Sequence, residues 1–247
     1  MVNTLVEGSS LKAPQLIAFD ADDTLWLNEP IYTDTQKKFN TIIQPFLTSC
    51  NPDEILYQTE MRNLKIFGYG IKGFVLSMIE TAIEISNGKI SSRDIGSIIN
   101  LGKEMINHPV LVLDGVRETL NDLSQHYKLM IITKGDLFDQ ESKIARSGLV
   151  DKFSHIEIVT RKDSDIYSTI LKKYKVTASQ FLMVGNSLKS DILPVSDLGG
   201  HAVHIPYDTT WQHEEVDVHE IKQPYHVLEN INHLSEYLEE YFDIPIG

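Results

Sequence analysis

Asp20, Asp22 and Asp23 follow directly on the apolar run Leu16 to Phe19, within Gln15-Leu-Ile-Ala-Phe-Asp-Ala-Asp-Asp-Thr-Leu-Trp26. Three carboxylates so close together repel one another and call for a compensating charge, most simply a divalent cation. Further downstream, Thr133-Lys134-Gly135 pairs a hydroxyl with a glycine turn that can offer donors to a phosphate. Lys162 can neutralise a carboxylate–phosphate pair, and Asn186 and Asp191 can supply oxygens to a hard cation. Each of these groups, taken alone, also fits an ordinary turn, helix cap or solvated side chain. Their order along the chain argues against coincidence, because each lies just past an apolar segment.

Those segments are short and unalternating, as strands buried on both faces are. Strands are expected at Leu16–Phe19, Lys128–Thr133, His155–Thr160, Phe181–Gly185 and His201–Ile205. Helical spacing falls between them, at Gly115–Leu123, around Ile144 and Leu149, at Asp165–Tyr174 and at Asp191–Leu198. Alternating strands and helices imply a parallel, Rossmann-like α/β sheet, with ligands at the carboxyl ends of the strands. After Trp26 the strand signals stop. Helical patterns follow from Asp34 to Thr48, from the start signal Asn51-Pro52-Asp53-Glu54 to Gly68, from Val75 to Ile83, and from Ser92 to Met105. The expected organisation is a core formed by 1–28 and 110–247, with an all-helical insert at 29–109. One more helix is expected at Val227–Leu238.

Bulk properties exclude several function classes. The 247 residues carry a formal net charge of -13, and the pI is about 5.1. Such a surface repels nucleic acid and anionic membranes, so neither is an expected partner. It also repels an anionic substrate at long range, so a phosphate site must depend on local donors and a metal. Cys50 is the only cysteine, which precludes an intramolecular disulfide and fits a reducing, cytoplasmic setting. It sits in Leu47-Thr-Ser-Cys-Asn-Pro52, a helix end and turn, where a catalytic thiol is not expected. Met1 to Pro14 does not read as a signal peptide, and no apolar run approaches the ~20 residues of a membrane helix.

The chain resembles the haloacid dehalogenase-like hydrolase superfamily. Phe19-Asp-Ala-Asp-Asp-Thr-Leu25 matches its first motif, Thr133 its second, Lys162 its third, and Asn186 to Asp191 its fourth. The position of the helical insert matches the cap of one branch. The resemblance implies a Mg²⁺-dependent phosphatase acting on a small phosphorylated substrate. Asp20 would be the nucleophile that forms an aspartyl-phosphate, and Asp22 the general acid and then base. Thr133 and Lys162, with Lys134 and Gly135 beside them, would hold the phosphoryl oxygens. Mg²⁺ would be held by Asp20, the Asp22 backbone carbonyl, Asn186 and Asp191. Dehalogenases of the superfamily lack the second aspartate, so Asp22 favours phosphoryl chemistry. Asn186 is a departure, since many members have Asp there. It removes one negative charge and leaves more of the ligation to Asp191.

Three alternatives stay open: a phosphomutase, a receiver-like signalling protein that stores phospho-Asp, and a member that binds without turnover. The receiver fits poorly, because its acceptor Asp follows a later strand and it has no helical insert. A monomer or homodimer is expected. Arg62, Lys65 and Lys72 flank the Gly-rich break Phe67 to Phe74 and read as a solvated face more readily than as an anion site. Hinges are expected near Asn28-Glu-Pro30 and His108-Pro109. His201, His204, His213 and His219 match no common ligand spacing, and Trp211 should pack the loop after the fifth strand.

Overall fold

A computed structural model of the chain describes residues 13–47, 51–209, 211–214, 216, 221 and 224–242. Cys50 and His219 lie outside the described residues. Six parallel strands form one sheet: β1 (Leu16–Phe19), β2 (Lys128–Lys134), β3 (His155–Val159), β4 (Phe181–Gly185), β5 (His201–His204) and β6 (His226–Val227). Their order is β3-β2-β1-β4-β5-β6, with β1 central between β2 and β4. Ile17 pairs with Leu129 on one side and Leu182 on the other.

Alternate residues of each strand feed two separate cores, as the two-residue strand period requires. Ile17, Phe19, Ile131 and Val184 pack on the face that receives Leu120 and Leu123 of α5 (Val116–His126), Ile144 of α6 (Leu137–Ser147) and Leu238 of α9 (Leu234–Phe242). Leu16, Ala18, Met130 and Met183 face the other way, against Tyr167 and Ile170 of α7 (Ser164–Tyr174) and Val195 of α8 (Leu193–Asp197). Both faces are covered, which is why the strands read as uninterrupted apolar runs.

Between β1 and α5 the chain forms α1 (Glu29–Ile43), α2 (Pro52–Phe67), α3 (Ile71–Ile85) and α4 (Ser92–Asn107). They enclose a third core of Phe39, Ile43, Leu56, Phe74, Met78 and Ile98. Local chemistry sets their ends. Asn51 and Ser91 accept bonds from the Asp53 and Asp94 N–H groups as N-caps. Gly68 ends α2 at φ 73°, a positive value that glycine adopts without strain.

Two segments depart from the sequence expectation. The first insert helix begins at Glu29, not Asp34, because Asp23 accepts the Asn28 and Glu29 N–H groups and so starts the helix early. The expected helix at Val227–Leu238 is replaced by the short strand β6, a 3-10 turn capped by Asn230, and α9, which starts at Leu234. β6 pairs with only Val203 and His204 of β5, too short a run to show alternation.

Candidate active site

The carboxyl ends of β1, β2 and β4 and the turn after β3 meet beneath α1–α3 in a cavity of about 200 Å³. Asp20, Asp22, Thr133, Lys134, Gly135, Lys162, Asn186 and Asp191 all line it. Every site residue expected from sequence is therefore brought to one place.

Lys162 is the centre of the arrangement. Its ammonium donates to Asp20 Oδ1 and to Asp191 Oδ1, the latter at 2.7 Å, and its side chain is 1 % exposed. Burial would lower the lysine pKa, but the Asp191 and Asp20 carboxylates outweigh it and raise it. The Asp20 carboxyl is itself raised, by burial first and then by the repulsion of Asp191, with Lys162 opposing. Asp191 is fully buried, and its Oδ2 accepts the Ser187 N–H at 3.0 Å. The close approach of this carboxylate requires Gly185: a Cβ there would lie 2.3 Å from Asp191 Oδ2. Thr24 Oγ1 donates towards Asp20 Oδ2 at 3.4 Å and Asn186 Oδ1 at 3.3 Å, and accepts the Asn186 N–H at 3.1 Å.

This donor set fits a hard divalent cation. Asp20 and Asn186 oxygens both meet Thr24 Oγ1, and Asp20 and Asp191 both accept from Lys162, so carboxylate and amide oxygens of the kind such a cation prefers lie around one lysine charge. No cluster of three His, Cys, Asp or Glu residues that could hold a metal occurs among the described residues.

Asp22 faces a different group of partners. Its carboxylate accepts Lys143 Nζ at 2.8 Å on both oxygens, Gln140 Nε2 at 2.9 Å and Trp26 Nε1 at 2.7 Å. Burial would raise its pKa; the Lys143 charge and these bonds prevail and hold it below the ordinary 3.8. Lys143 also reaches Asn28 Oδ1 at 3.3 Å, which ties Asp22 to the first expected hinge. At the second, Arg146 donates to the His108 carbonyl at 2.9 Å and the Ile106 carbonyl at 3.1 Å. Asp23 takes a left-handed φ of 59°, and burial pushes its pKa up to about 7 against the N–H bonds it accepts.

The second-motif residues are more committed than the sequence suggests. Thr133 Oγ1 donates to Gln140 Oε1 at 3.3 Å. The Gly135 N–H is spent on the Val159 carbonyl at 3.3 Å, so the expected backbone donor at that position is taken up in pairing with β3. Lys134 donates to Glu214 and to Ser190 Oγ at 2.8 Å, and its ammonium sits 4.5 Å from the Tyr69 ring centroid, so its charge is already matched. Glu214 also accepts Ser187 Oγ and Ser190 Oγ, both at 2.6 Å. Burial opposes its ionisation, but Lys134 and the two hydroxyls hold its pKa down at about 2.

Gln140, Lys143 and Glu214 were not expected from sequence. Gln140 and Lys143 lie three residues apart on α6, so they share a face of that helix; a lysine one turn from Asp139 was a weak signal. Glu214 comes from an irregular loop with no periodicity to read. Trp211 of that loop borders the cavity and packs edge-on to Tyr69, with ring centroids 6.0 Å apart. Of the cationic groups around the Gly-rich break, Lys72 pairs with Asp136 at 2.9 Å, Arg62 bonds Thr59 Oγ1 at 2.9 Å and Lys65 is exposed. The described histidines of the C-terminal part are not gathered into a metal site: His201 meets the Ser179 carbonyl, His204 the Asn186 carbonyl, and His213 the Tyr69 hydroxyl.

Comparison with known proteins agrees with this geometry. A family profile described as haloacid dehalogenase-like hydrolase matches residues 14–199. A glyceraldehyde 3-phosphate phosphatase of Pyrococcus furiosus is 31% identical over 131 residues, 51% of this chain and 53% of that protein. The same-named protein of Pyrococcus abyssi is 35% identical over 99 residues, 38% of this chain and 42% of its own length. The matches thus span about half the length of these curated relatives or less. A crystal structure of a haloacid dehalogenase-like family hydrolase from Xanthomonas campestris superposes with a TM-score of 0.83 at 39% identity, covering 94% of this chain and 93% of that one. A 2-haloacid dehalogenase from Pseudomonas syringae shares the fold at a TM-score of 0.62 and 21% identity, covering 92% of this chain and 99% of that one. With its four motif regions gathered at one sheet edge and the profile spanning most of its length, the chain belongs to the haloacid dehalogenase-like hydrolase family.

Proposed function

We propose that this chain is a phosphatase that hydrolyses a small phosphate monoester through an aspartyl-phosphate on Asp20. The observation that carries the reading is the buried Asp20 carboxylate, held by Lys162 in a cavity that Thr133 also lines. The relatives named as phosphatases point the same way. An Asp20 oxygen attacks phosphorus as the ester P–O bond breaks, and the departing alkoxide takes a proton from Asp22. A water then attacks the phosphoryl group, gives its proton to Asp22, and releases Asp20 and inorganic phosphate. Lys162 and Thr133 hold the phosphoryl oxygens while charge moves among them.

Asp22 must carry a proton in the first step and lose it in the second. In the arrangement described, Lys143 keeps it ionised. Donation therefore requires Asp22 to exchange Lys143 for the substrate oxygen, and α6 is the element that governs that exchange. Asp20, Asn186 and Asp191 would hold Mg²⁺, with the Asp22 backbone carbonyl as the remaining expected ligand. Bound there, Mg²⁺ would offset the carboxylate charge and polarise the phosphoryl group. Residues 29–109 serve as a cap that closes the cavity and excludes water. Asp22, absent from dehalogenases of the family, favours this reading over carbon–halogen cleavage.

The test is hydrolysis of an aryl phosphate with Mg²⁺, with EDTA, and with Asp20→Asn. Metal-dependent turnover that vanishes in the variant is expected. Failure of beryllofluoride or acetyl phosphate to bind at Asp20 would overturn the assigned site.

A further inference from the structure

The cavity continues from the Asp20 end to a second end formed by α1, α2 and α3, lined by Glu29, Tyr32, Glu60, Asn63 and Phe74. The charges at the two ends are balanced differently. At the Asp20 end, Lys162 answers Asp20 and Asp191, Lys143 answers Asp22, and Lys134 answers Glu214. Asp23 is satisfied by backbone N–H groups. At the helical end, the Glu29 and Glu60 carboxylates have no hydrogen bond or ion pair among the described residues, although both are largely removed from water. Burial pushes Glu29 up to about 8, with Asp23 and Glu60 adding repulsion, and pushes Glu60 up to about 7.

A separate observation marks the same end. Asn63 is 6% exposed and spends its amide nitrogen on Ser77 Oγ at 3.2 Å and Glu80 Oε2 at 2.9 Å. Its Oδ1 receives no donor among the described residues. The Tyr32 hydroxyl also has no partner there; its ring is packed against Phe74 at 5.1 Å between centroids. The helical end therefore offers oxygen acceptors and two carboxyl groups whose ionisation a bound cation would favour. The lysines that line the cavity, Lys134 and Lys162, are both paired with acids. A buried carboxylate without a partner is costly, and a ligand cation removes that cost. A second anionic group at this end would find no unpaired lysine among the described lining residues.

Building on the phosphatase reading, we propose that the substrate is a small phosphate monoester whose far end is a primary ammonium group, received by Glu29 and Glu60. The three ammonium hydrogens match the two carboxylates and the free Asn63 oxygen in number. A cavity of about 200 Å³ suits a chain of a few carbons, below the roughly 300–1,000 Å³ of sites for drug-sized ligands.

The test measures binding without turnover, by calorimetry on Asp20→Asn. The probes are ω-aminoalkyl phosphates of two, three and four carbons, their ω-hydroxy counterparts, and phosphoglycolate as the anionic comparison. At one or more lengths the amine should bind about ten- to a hundredfold more tightly than its hydroxy counterpart, and phosphoglycolate should bind weakest. Adding Glu29→Gln and Glu60→Gln should erase the amine preference and leave the hydroxy compound within about threefold; thermal unfolding confirms that the variant is folded. Equal or weaker amine binding at every length overturns the proposal, as does a preference that survives in the Gln variant. The phosphatase reading fails separately, if the native chain binds the esters in the expected order and hydrolyses none of them with Mg²⁺.

Discussion

Glu29→Gln should make the protein more stable, and increasingly so as the pH rises. The Glu29 carboxyl is raised from its ordinary 4.5 to about 8 by burial, with Asp23 and Glu60 adding to the shift. Between those values the folded chain keeps a proton that the unfolded chain releases, so wild-type stability falls as pH rises through this window. At about 1.4 kcal/mol per unit, the shift limits the cost at about 5 kcal/mol. Partial solvent contact reduces that, and about 2–3 kcal/mol is the working figure. Glutamine keeps the shape and never ionises. The variant should match wild type near pH 4.5, gain steadily to about pH 8 and hold its advantage above. Urea unfolding at pH 5 and pH 8.5 in EDTA reads this as a rise in midpoint at constant slope. In thermal melts, a gain of this size corresponds to about 4–12 °C for a chain of this length. A variant no more stable relative to wild type at pH 8.5 than at pH 5 would refute the reasoning. It would mean that Glu29 is solvated or paired, and the proposed ammonium site would weaken with it.

Other substitutions probe the rest of the site. Lys143→Met leaves the Asp22 carboxylate buried without its cation and should cost about 3–5 kcal/mol at pH 7 by urea unfolding. Because Asp22 is held below 3.8, that pairing stabilises the fold above this pH and fades as acid protonates the folded form, so the deficit should shrink there. Glu214→Gln should lose about 3 kcal/mol at neutral pH, since the folded pKa of about 2 lies below the ordinary 4.5. That difference should close as the pH falls from 4.5 towards 2. Gly185→Ala places a methyl against the Asp191 carboxylate and should destabilise by about 1–3 kcal/mol. Aryl phosphate turnover should fall more steeply than stability, because Asp191 is displaced from Lys162 and the proposed metal position.

The site was legible where strand order did the work. Asp20, Thr133, Lys162, Asn186 and Asp191 are spread along the sequence, yet each lies at or just past the carboxyl end of a parallel strand, and those ends share one side of the sheet. The uninterrupted apolar run Leu16 to Phe19 announced a strand buried on both faces, and its two faces indeed feed different cores. Partner choice was not legible. Nothing local says that Asp22 will pair with Lys143, or that Lys134 will be matched by Glu214 from a loop beyond β5. Those contacts form only when distant segments meet, and no periodicity encodes them. Boundaries failed for a related reason. Asp23 starts α1 early through a side-chain cap, and β6 is a two-residue strand held by its neighbour alone.

The central position of β1 has a consequence during synthesis. Its hydrogen-bonding partners are β2 and β4, and the nearer of them begins only after about 110 intervening residues. At translation rates of about 5–20 residues per second, Leu16 to Phe19 stays unpaired for several seconds or more after it is made. The helices α1 to α4 emerge in that interval and can close their own core through contacts near in sequence, which form quickly. The insert can therefore form before the sheet exists, and Asp20 acquires its surroundings last, when Lys162 and Asp191 have followed it out of the ribosome. A nascent chain halted before β2 would carry the helical segment beside an unpaired apolar strand, a form open to aggregation.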